Sequence, residues 1–167
     1  ESVKNPKITM EQNVTGSLNV LETCVKNNIS NFITVSSAAV FGHPMEFTLS
    51  EKSKTNPISP YGESKLEMEK TVKKISKQYN VNSIVLRFFN VYGPNQNDAY
   101  AGVITKFLSC VCENKPLVIF GDGKATRDFI HIDDILDAIY LAIGHIDSKR
   151  GKIYNIGTGK SVTIKQL

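Results

Sequence analysis

The stretch Ser59-Pro-Tyr-Gly-Glu-Ser-Lys65 begins a helix, Tyr61–Gln78, and the elements on either side of this helix decide the fold class. The first two residues of the stretch are a favourable N-cap and a favourable first-turn residue. A continuously apolar run lies on each side of the helix, Phe32–Ser36 before it and Ser83–Phe89 after it, and each run predicts a buried strand. Two buried strands joined through a helix predict a parallel sheet, so we expect an α/β protein.

The rest of the chain continues this alternation of helices and strands. Apolar residues at helical spacing predict a helix over Ile8–Asn27, before the first strand. The elements predicted after Phe89 are the helix Val103–Glu113, the strand Leu117–Phe120, the extended segment Arg127–His131, a helix from an N-cap at Asp133 to Ile143, the strand Lys152–Ile156 and a helix that begins at Thr163.

The composition excludes several classes of protein. With 167 residues, of which 41% are hydrophobic and 22% charged, the chain is expected to form about one soluble globular domain. Its net charge of +4 comes from Lys and Arg without interleaved aromatic residues, which disfavours a nucleic-acid partner, and no apolar run is long enough to span a membrane. Because Cys24, Cys110 and Cys112 lack the paired spacing of a zinc site, we expect reduced thiols, no metal and a cytoplasmic location.

The pair Tyr61 and Lys65 is the first candidate for chemistry. Four positions apart on a helix, the two side chains project from one face. The ammonium of Lys65 favours the deprotonated form of the phenol, so Tyr61 can take a proton from a substrate hydroxyl while hydride leaves the same carbon. Tyr and Lys also meet at this spacing on many solvated helices, so the pattern is a hypothesis that needs support from its neighbours.

Ser36 and Ser37 close the first predicted strand, and they are the second candidate site. In parallel α/β sheets, ligands gather at the carboxyl ends of strands. A serine hydroxyl there can orient the substrate oxygen that Tyr61 deprotonates. The alternative is that both serines only cap the end of the strand.

Six motifs then follow one another in an order that resembles a known family. They are Asn13-Val-Thr-Gly-Ser-Leu-Asn-Val-Leu-Glu22, Val35-Ser-Ser-Ala-Ala-Val-Phe-Gly42, Pro60-Tyr-Gly-Glu-Ser-Lys65, Leu86-Arg-Phe-Phe-Asn-Val-Tyr-Gly-Pro94, Phe120-Gly-Asp-Gly-Lys-Ala-Thr-Arg-Asp-Phe-Ile-His131 and Tyr154-Asn-Ile-Gly-Thr-Gly159. Together they resemble the extended short-chain dehydrogenase/reductases, and within them the NAD-dependent nucleotide-sugar epimerase/dehydratase branch. The resemblance covers almost the whole chain.

The resemblance implies a Rossmann-like doubly wound parallel sheet with part of a small C-terminal substrate domain. Residues 1–92 correspond to the later part of the NAD-binding domain, and residues 93–167 to substrate-domain segments mixed with returning Rossmann elements. The glycine-rich turn that seats the dinucleotide in such proteins is expected upstream of Glu1, as are the first strands of the sheet. The sequence is therefore interpreted as an internal fragment of a parent about twice as long.

The resemblance also implies roles for individual residues. The catalytic residues are Ser37, Tyr61 and Lys65, with Ser36 as the second choice for the serine. The residues implied to contact NAD are Asn13, Ser36, Tyr61, Lys65 and Phe88. The residues implied to bind the substrate are Asn90, Val103, Val118, Phe120 and Arg127.

Two kinds of contact are implied for the substrate, which is a nucleotide-diphosphate sugar. Asn90 and Arg127 bind the diphosphate end, where a guanidinium can pair with two phosphate oxygens at once. Val103, Val118 and Phe120 line the pocket for the nucleotide base, and plain core packing is the alternative for these three.

The activity implied is 4-epimerisation of the UDP-glucose/UDP-galactose type, extending to N-acetylated sugars, through transient oxidation at C4. Sugar 4,6-dehydratases of the family carry an acidic pair where this chain has Ala38 and Ala39, which disfavours dehydration. The alternatives are another nucleotide-sugar reductase, decarboxylase or dehydratase, and a non-catalytic dinucleotide-binding scaffold. A homodimer is expected through the helices 9–26 and 61–78, unless their apolar faces only cover the sheet.

Overall fold

The computed structural model describes residues 2–44, 46, 48–96, 102–147 and 149–167. Its helical elements are α1 (Pro6–Met10), a π-helical turn (Glu11–Thr15), α2 (Gly16–Lys26), a 3₁₀ turn (Ala38–Phe41), α3 (Pro60–Tyr79), α4 (Val103–Cys112) and α5 (Ile132–Gly144). Its strands are β1 (Asn31–Ser37), β2 (Asn82–Phe88), β3 (Asn90–Tyr92), β4 (Thr126–Arg127), β5 (Phe129–His131), β6 (Lys152–Ile156) and β7 (Val162–Thr163).

The chain divides into two units. Unit 1 comprises Glu1–Phe88 and Ala138–Asn155, and unit 2 comprises Phe89–Asp137 and Ile156–Leu167. The segment Ala138–Asn155 belongs to unit 1, and the assignment of 1–92 and 93–167 to parts of an NAD-binding and a substrate domain stays a prediction.

Unit 1 is organised by a three-stranded sheet in the order β1-β2-β6. β1 and β2 are parallel, and α3 lies between them in the chain, as the apolar runs predicted. In the register of this pair Ser36 lies opposite Arg87, and Ser37 lies opposite Phe88. The two strands therefore end side by side, so their last residues share one edge of the sheet.

The helices of unit 1 bury their apolar faces against this sheet. The core cluster consists of Leu21 from α2, Met68 and Val72 from α3, Val81 just before β2, and Val85 within β2. Burial of such side chains is the main favourable term in folding, at about 25 cal/mol per Å² of apolar surface. Apolar residues at helical spacing in α2 and α3 thus fix both helices on the sheet.

The first turn of α3 forms as its sequence predicts. Ser59 has extended backbone angles, and its Oγ accepts a hydrogen bond from the backbone N–H of Gly62 at 3.1 Å. Pro60 occupies the first helical position, where a missing N–H does no harm. The helix ends at Asn80, which has left-handed angles that an Asn tolerates.

Unit 2 contains two short two-stranded sheets. β3 and β5 are parallel, whereas β4 and β7 are antiparallel. The predicted helix over Val103–Glu113 is confirmed as α4. The helix α5 begins at Ile132, two residues before the start that an N-cap at Asp133 would give, so Asp133 lies in its first turn and does not cap it.

Two other predictions for this part of the chain are wrong. Leu117–Phe120 is not a strand, because this exposed segment has β-forming side chains but pairs with no strand of the described residues. Thr163 does not open a helix. It pairs with Thr126 across β4 and β7, and its Oγ1 donates to Oε1 of Gln166 at 2.8 Å, which stabilises a turn instead.

Candidate active site

Tyr61 and Lys65 lie on one face of α3 in unit 1, as their spacing predicts. The Nζ of Lys65 is 5.8 Å from the centroid of the Tyr61 ring, and it donates a hydrogen bond to the backbone carbonyl of Val35 at 3.0 Å. Tyr61 is 38% exposed, so its phenol remains accessible to a ligand. Burial lowers the pKa of Lys65 from its ordinary value of 10.5, because desolvation disfavours the ammonium.

Ser37 is held by the turn that follows β1. Its Oγ accepts from the backbone N–H of Ala39 at 3.2 Å, so Ser37 caps the 3₁₀ turn Ala38–Phe41. This turn touches the start of α3, since a Cβ atom on Gly62 would lie 2.6 Å from the carbonyl oxygen of Ala39. Only glycine permits this close approach, and it fixes the turn of Ser37 against the first turn of the Tyr61 helix.

Ser36 is placed differently from its neighbour. It is 1% exposed, and its hydroxyl donates to Oε1 of Glu69 at 2.6 Å. Ser37 is partly exposed, so it is the serine whose hydroxyl a substrate can reach. The cofactor contact of Ser36 stays a prediction, and a contact through its hydroxyl would compete with Glu69.

Glu69 and Arg87 form a buried ion pair that the sequence analysis missed. Nε and Nη2 of Arg87 donate to the two carboxylate oxygens of Glu69 at 2.8 and 2.6 Å. A signal for the pair exists in the sequence. Arg87 interrupts the apolar strand Ser-Ile-Val-Leu-Arg-Phe, and a buried charge requires a partner, while Glu69 lies one further turn along the helix from Lys65.

Asn13 is linked to α3 through Ser64. Its Nδ2 donates to Oγ of Ser64 at 2.9 Å, and that hydroxyl donates to the backbone carbonyl of Tyr61 at 2.8 Å. Asn13 lies in the π-helical turn Glu11–Thr15, a kind of distortion that is frequent at functional sites. Phe88, the other residue expected to contact the cofactor, ends β2 opposite Ser37 and is half-buried.

The five predicted substrate-binding residues lie together in unit 2. They line one cavity of about 510 Å³, and they are Asn90, Val103, Val118, Phe120 and Arg127. The side chains of Val118 and Phe120 are 62% and 91% exposed, so core packing does not explain these two positions. The structure therefore gathers residues that are separated in the chain by up to 37 positions (127 − 90) around one open space.

Arg127 brings positive charge to this cavity. Its side chain is exposed, and its Nη1 donates to the neighbouring carbonyl of Thr126 at 2.7 Å. In the part of the chain that the structure describes, no salt bridge joins it to a carboxylate, so its guanidinium can receive an anion.

Asp128, which the sequence analysis did not single out, organises the backbone around Arg127. Its carbonyl accepts hydrogen bonds from the side-chain amide and the backbone N–H of Asn90, at 2.9 and 3.1 Å. Its carboxylate accepts from N and Oγ1 of Thr158 and from N of Gly159, at 2.9, 2.7 and 2.8 Å. One residue thus links β3 and the loop after β6 to the segment that carries Arg127.

Two further features are absent from the described ranges. None of the helices there combines the length and the apolarity that crossing a membrane requires. Those residues also contain no group of three or more His, Cys, Asp or Glu side chains that could hold a metal ion.

Known proteins resemble this chain closely. A UDP-glucose 4-epimerase of Thermotoga maritima, solved with UDP-glucose, is 34% identical with a TM-score of 0.93, covering 99% of this chain and 54% of that one. A UDP-N-acetylglucosamine 4-epimerase of Methanobrevibacter ruminantium, solved with UDP-N-acetylmuramic acid, is 37% identical with a TM-score of 0.91, covering 99% and 53%. A UDP-glucose 4-epimerase of Azospirillum brasilense is 32% identical over 182 residues, which are 100% of this chain and 52% of that protein.

The chain spans about half the length of these relatives. The family model that matches it extends over residues 1–157, and its description is the NAD dependent epimerase/dehydratase family. This match covers most of the chain, and the fold agrees with the solved relatives. The chain therefore belongs to the NAD dependent epimerase/dehydratase family.

Proposed function

We propose that the protein, in its full natural length, is an NAD-dependent nucleotide-sugar 4-epimerase of the UDP-glucose/UDP-galactose type. The observation that carries the proposal is the pair Tyr61 and Lys65, an accessible phenol with a half-buried ammonium fixed 5.8 Å from its ring. The names of the related proteins support it, since they include UDP-glucose and UDP-N-acetylglucosamine 4-epimerases.

The residues around Lys65 suit NAD. An ammonium carries three N–H donors, and the hydrogen bond to Val35 uses one of them, so Lys65 keeps donors for the hydroxyls of a nicotinamide ribose. Phe88 offers an apolar surface at the end of β2, on the same sheet edge as Ser37. When bound, NAD⁺ supplies the acceptor for the C4 hydride and later returns that hydride.

Tyr61 moves the proton in this reaction. As phenolate it takes the proton from the C4 hydroxyl of the sugar, and it returns a proton to the same oxygen when the opposite epimer forms. Lys65 stabilises the phenolate through its positive charge, and Ser37 donates a hydrogen bond to the same sugar oxygen. The 4-keto sugar rotates between the two steps, so that the hydride returns to its opposite face. Because the hydride is returned, the reaction has no net redox change.

The cavity of unit 2 binds the nucleotide end of the substrate. Arg127 pairs with the diphosphate, and Asn90 contacts the sugar diphosphate as well. Val103, Val118 and Phe120 cover the base. Anchoring at this end leaves the sugar free to rotate, which epimerisation requires.

Other reactions on the same scaffold are less well supported. Ala38 and Ala39 lie in the 3₁₀ turn after Ser37, and neither methyl group can act as the acid or base that a dehydratase needs. Reduction and decarboxylation of a nucleotide sugar are distinguished by product analysis. A non-catalytic scaffold has no need of an accessible Tyr61 with Lys65 fixed beside it.

We also propose a homodimer through the helices 9–26 and 61–78 and a cytoplasmic location. Met10 and Val20 are exposed on the first of these helices, which supports an interface, although Leu21, Met68 and Val72 are used in the core. Sedimentation velocity tests the dimer. The free thiols of all three cysteines support the cytoplasm, and imaging of a tagged protein tests it.

The test of the activity uses the full-length protein with NAD⁺ and either UDP-galactose or UDP-N-acetylgalactosamine, and it follows conversion to the gluco epimer. We expect conversion that disappears in Tyr61→Phe, because the phenol that transfers the proton is gone. Tyr79→Phe is the matched control, since Tyr79 is an exposed tyrosine at the far end of the same helix.

Loss of conversion in Tyr61→Phe alone establishes the epimerase, and the preferred sugar defines its substrate. Equal loss in both variants, or none in either, contradicts the assigned role of Tyr61. Absence of conversion by a wild-type protein that retains NAD overturns the epimerase in favour of another nucleotide-sugar reaction or of the scaffold.

A further inference from the structure

Glu69 lies on the same face of α3 as the catalytic pair. Tyr61, Lys65 and Glu69 follow one another at intervals of four residues, so each stands about one helical turn, roughly 6 Å, beyond the last. We infer that Glu69 is a positioning residue for the reaction: its carboxylate fixes the helix that carries Tyr61 and Lys65 against the ends of β1 and β2. The inference rests on the proposed function.

Three donors converge on this carboxylate. Oε1 of Glu69 accepts from Oγ of Ser36 at 2.6 Å and from Nε of Arg87 at 2.8 Å, and Oε2 accepts from Nη2 of Arg87 at 2.6 Å. Ser36, Glu69 and Arg87 are 1%, 3% and 3% exposed. All three hydrogen bonds are therefore formed away from water, where small displacements are poorly tolerated.

The donors come from the two strands whose ends carry the other site residues. Ser36 and Arg87 lie opposite each other in the parallel pair, and the next opposed pair is Ser37 and Phe88. Glu69 therefore holds α3 at a point one residue before the candidate catalytic serine and one residue before the candidate cofactor contact. A shift of Glu69 would move Tyr61 and Lys65 relative to both.

Arg87 extends this linkage to the turn after Ser37. Its guanidinium carbon lies 5.0 Å from the centroid of the Phe41 ring, a buried side chain that ends the 3₁₀ turn capped by Ser37. The planar guanidinium can thus hold a carboxylate at its edge and an aromatic ring at its face. The pair of Glu69 and Arg87 thus links three segments of the site. Glu69 belongs to α3 and accepts from Ser36 of β1, while Arg87 lies against Phe41 of the 3₁₀ turn.

The energetics favour positioning over stability as the reason for this ion pair. Burying two charges costs so much desolvation that a well-packed apolar set is often as stable. What an apolar set does not reproduce is the fixed bidentate geometry of an Arg–carboxylate pair. A displacement of about 1 Å in a catalytic group can lower a rate about 100-fold, so the expected effect is on kcat.

The test compares two variants and one control in the full-length protein. Glu69→Gln removes the charge and keeps the shape. The triple variant Ser36→Ala, Glu69→Leu and Arg87→Met removes all three polar groups together, so that none is left buried without a partner. Glu67→Gln is the control, because Glu67 is an exposed residue of the same helix and pairs with Lys70 on the surface.

Each protein is assayed for kcat and KM at a temperature well below its melting transition. For Glu69→Gln and the triple variant we expect kcat to fall about 10- to 100-fold with KM changed less than threefold, in line with a misplaced catalytic group. We expect wild-type values for Glu67→Gln. A triple variant that is as stable as the wild type and keeps its kcat overturns the inference.

A second measurement does not depend on activity. NMR titration of the lysine side chains reports the pKa of Lys65, which burial holds below 10.5. The triple variant removes the Glu69 and Arg87 charges together and leaves the local net charge unchanged, so in it Lys65 gains water and its pKa moves back up if Glu69 positions α3, whereas a purely stabilising role leaves the pKa unchanged in the folded protein. An unchanged pKa refutes the positioning role, while a raised pKa in a protein without epimerase activity refutes only the proposed reaction.

Discussion

The chemical site of unit 1 and the cavity of unit 2 are built in opposite ways. Tyr61 and Lys65 are held in place by buried side chains of strands and of a long helix, which include the bidentate pair of Arg87 and Glu69. The cavity is lined by exposed side chains, such as Phe120, and its order comes from Asp128, which binds backbone groups. Under the proposed function, the rigid region would serve proton and hydride transfer, which need fixed geometry, while the exposed lining of the cavity can change its side chains without disturbing the fold.

The largest expected effect comes from Lys65→Met, which acts only on the chemical site. Loss of the positive charge next to Tyr61 should lower kcat roughly 100- to 1,000-fold, the usual result of removing one group that stabilises developing charge. The KM for the nucleotide sugar should change little, because the cavity residues remain. Steady-state kinetics measures both quantities, and a change confined to KM would contradict the separation of the two regions.

The same variant should be more stable than the wild type at neutral pH. Burial lowers the pKa of Lys65 in the folded state, so below that pKa the fold bears the cost of a desolvated ammonium. As pH rises from the lowered pKa to the unfolded value of 10.5, the folded state loses its proton first and this cost disappears. Thermal melts should therefore show an advantage for Lys65→Met at pH 7 that fades toward pH 10.5.

Arg127→Gln should produce the next largest effect, and it acts on the cavity alone. Loss of a charged hydrogen bond to the diphosphate, worth roughly 1.5–3 kcal/mol, should raise KM about 10- to 100-fold. The value of kcat should stay within a few-fold of the wild type. Lys124→Gln is the matched control, since Lys124 is an exposed cation of the same unit that pairs with Asp122. An equal rise in KM for both variants would mean that general positive charge, and not Arg127, attracts the substrate.

Asp128→Asn should give the smallest change. An amide has one acceptor oxygen for the three donors of Thr158 and Gly159, so the loop loses part of its anchor. A net loss of about 1 kcal/mol per hydrogen bond predicts a rise in KM of about three- to tenfold. Hydrogen exchange should show faster exchange at the amides of Thr158 and Gly159.

The control for this variant is Asp122→Asn, because Asp122 is a surface carboxylate of the same unit that accepts from Lys124 within its own turn. It should leave both KM and the exchange of the loop unchanged. Unchanged exchange in Asp128→Asn would show that the loop is held by other contacts.

The sequence predicted the parts of the molecule that depend on local pattern. The strands β1 and β2, the helix α3 and its N-cap follow from apolar runs and from Ser59-Pro60, since these signals act over a few residues. Leu117–Phe120 shows where prediction from local pattern fails. Its β-forming residues satisfy the local rule, but a strand also needs a partner elsewhere in the chain, and the segment lines a cavity instead.

The residues missed at the site share one property, which is that they act on other protein groups. Glu69 and Asp128 each accept hydrogen bonds from segments far away in the chain, and no local sequence pattern predicts such contacts. Arg87 in an apolar strand indicated that a buried carboxylate must exist, but it did not say which one. The pairs were visible only after folding had brought helix, strand and loop together.

The π-helical turn Glu11–Thr15 makes the number of residues in this helix as important as their identity. A π-helical turn holds one residue more than a regular α-helical turn, so deleting one residue from it would restore a regular helix and change the direction in which Asn13 projects. The hydrogen bond from Asn13 to Ser64 would then be lost although no functional residue had been replaced. A single-codon deletion here should therefore be as harmful as a substitution of Asn13, which a deletion scan of residues 6–26 would reveal.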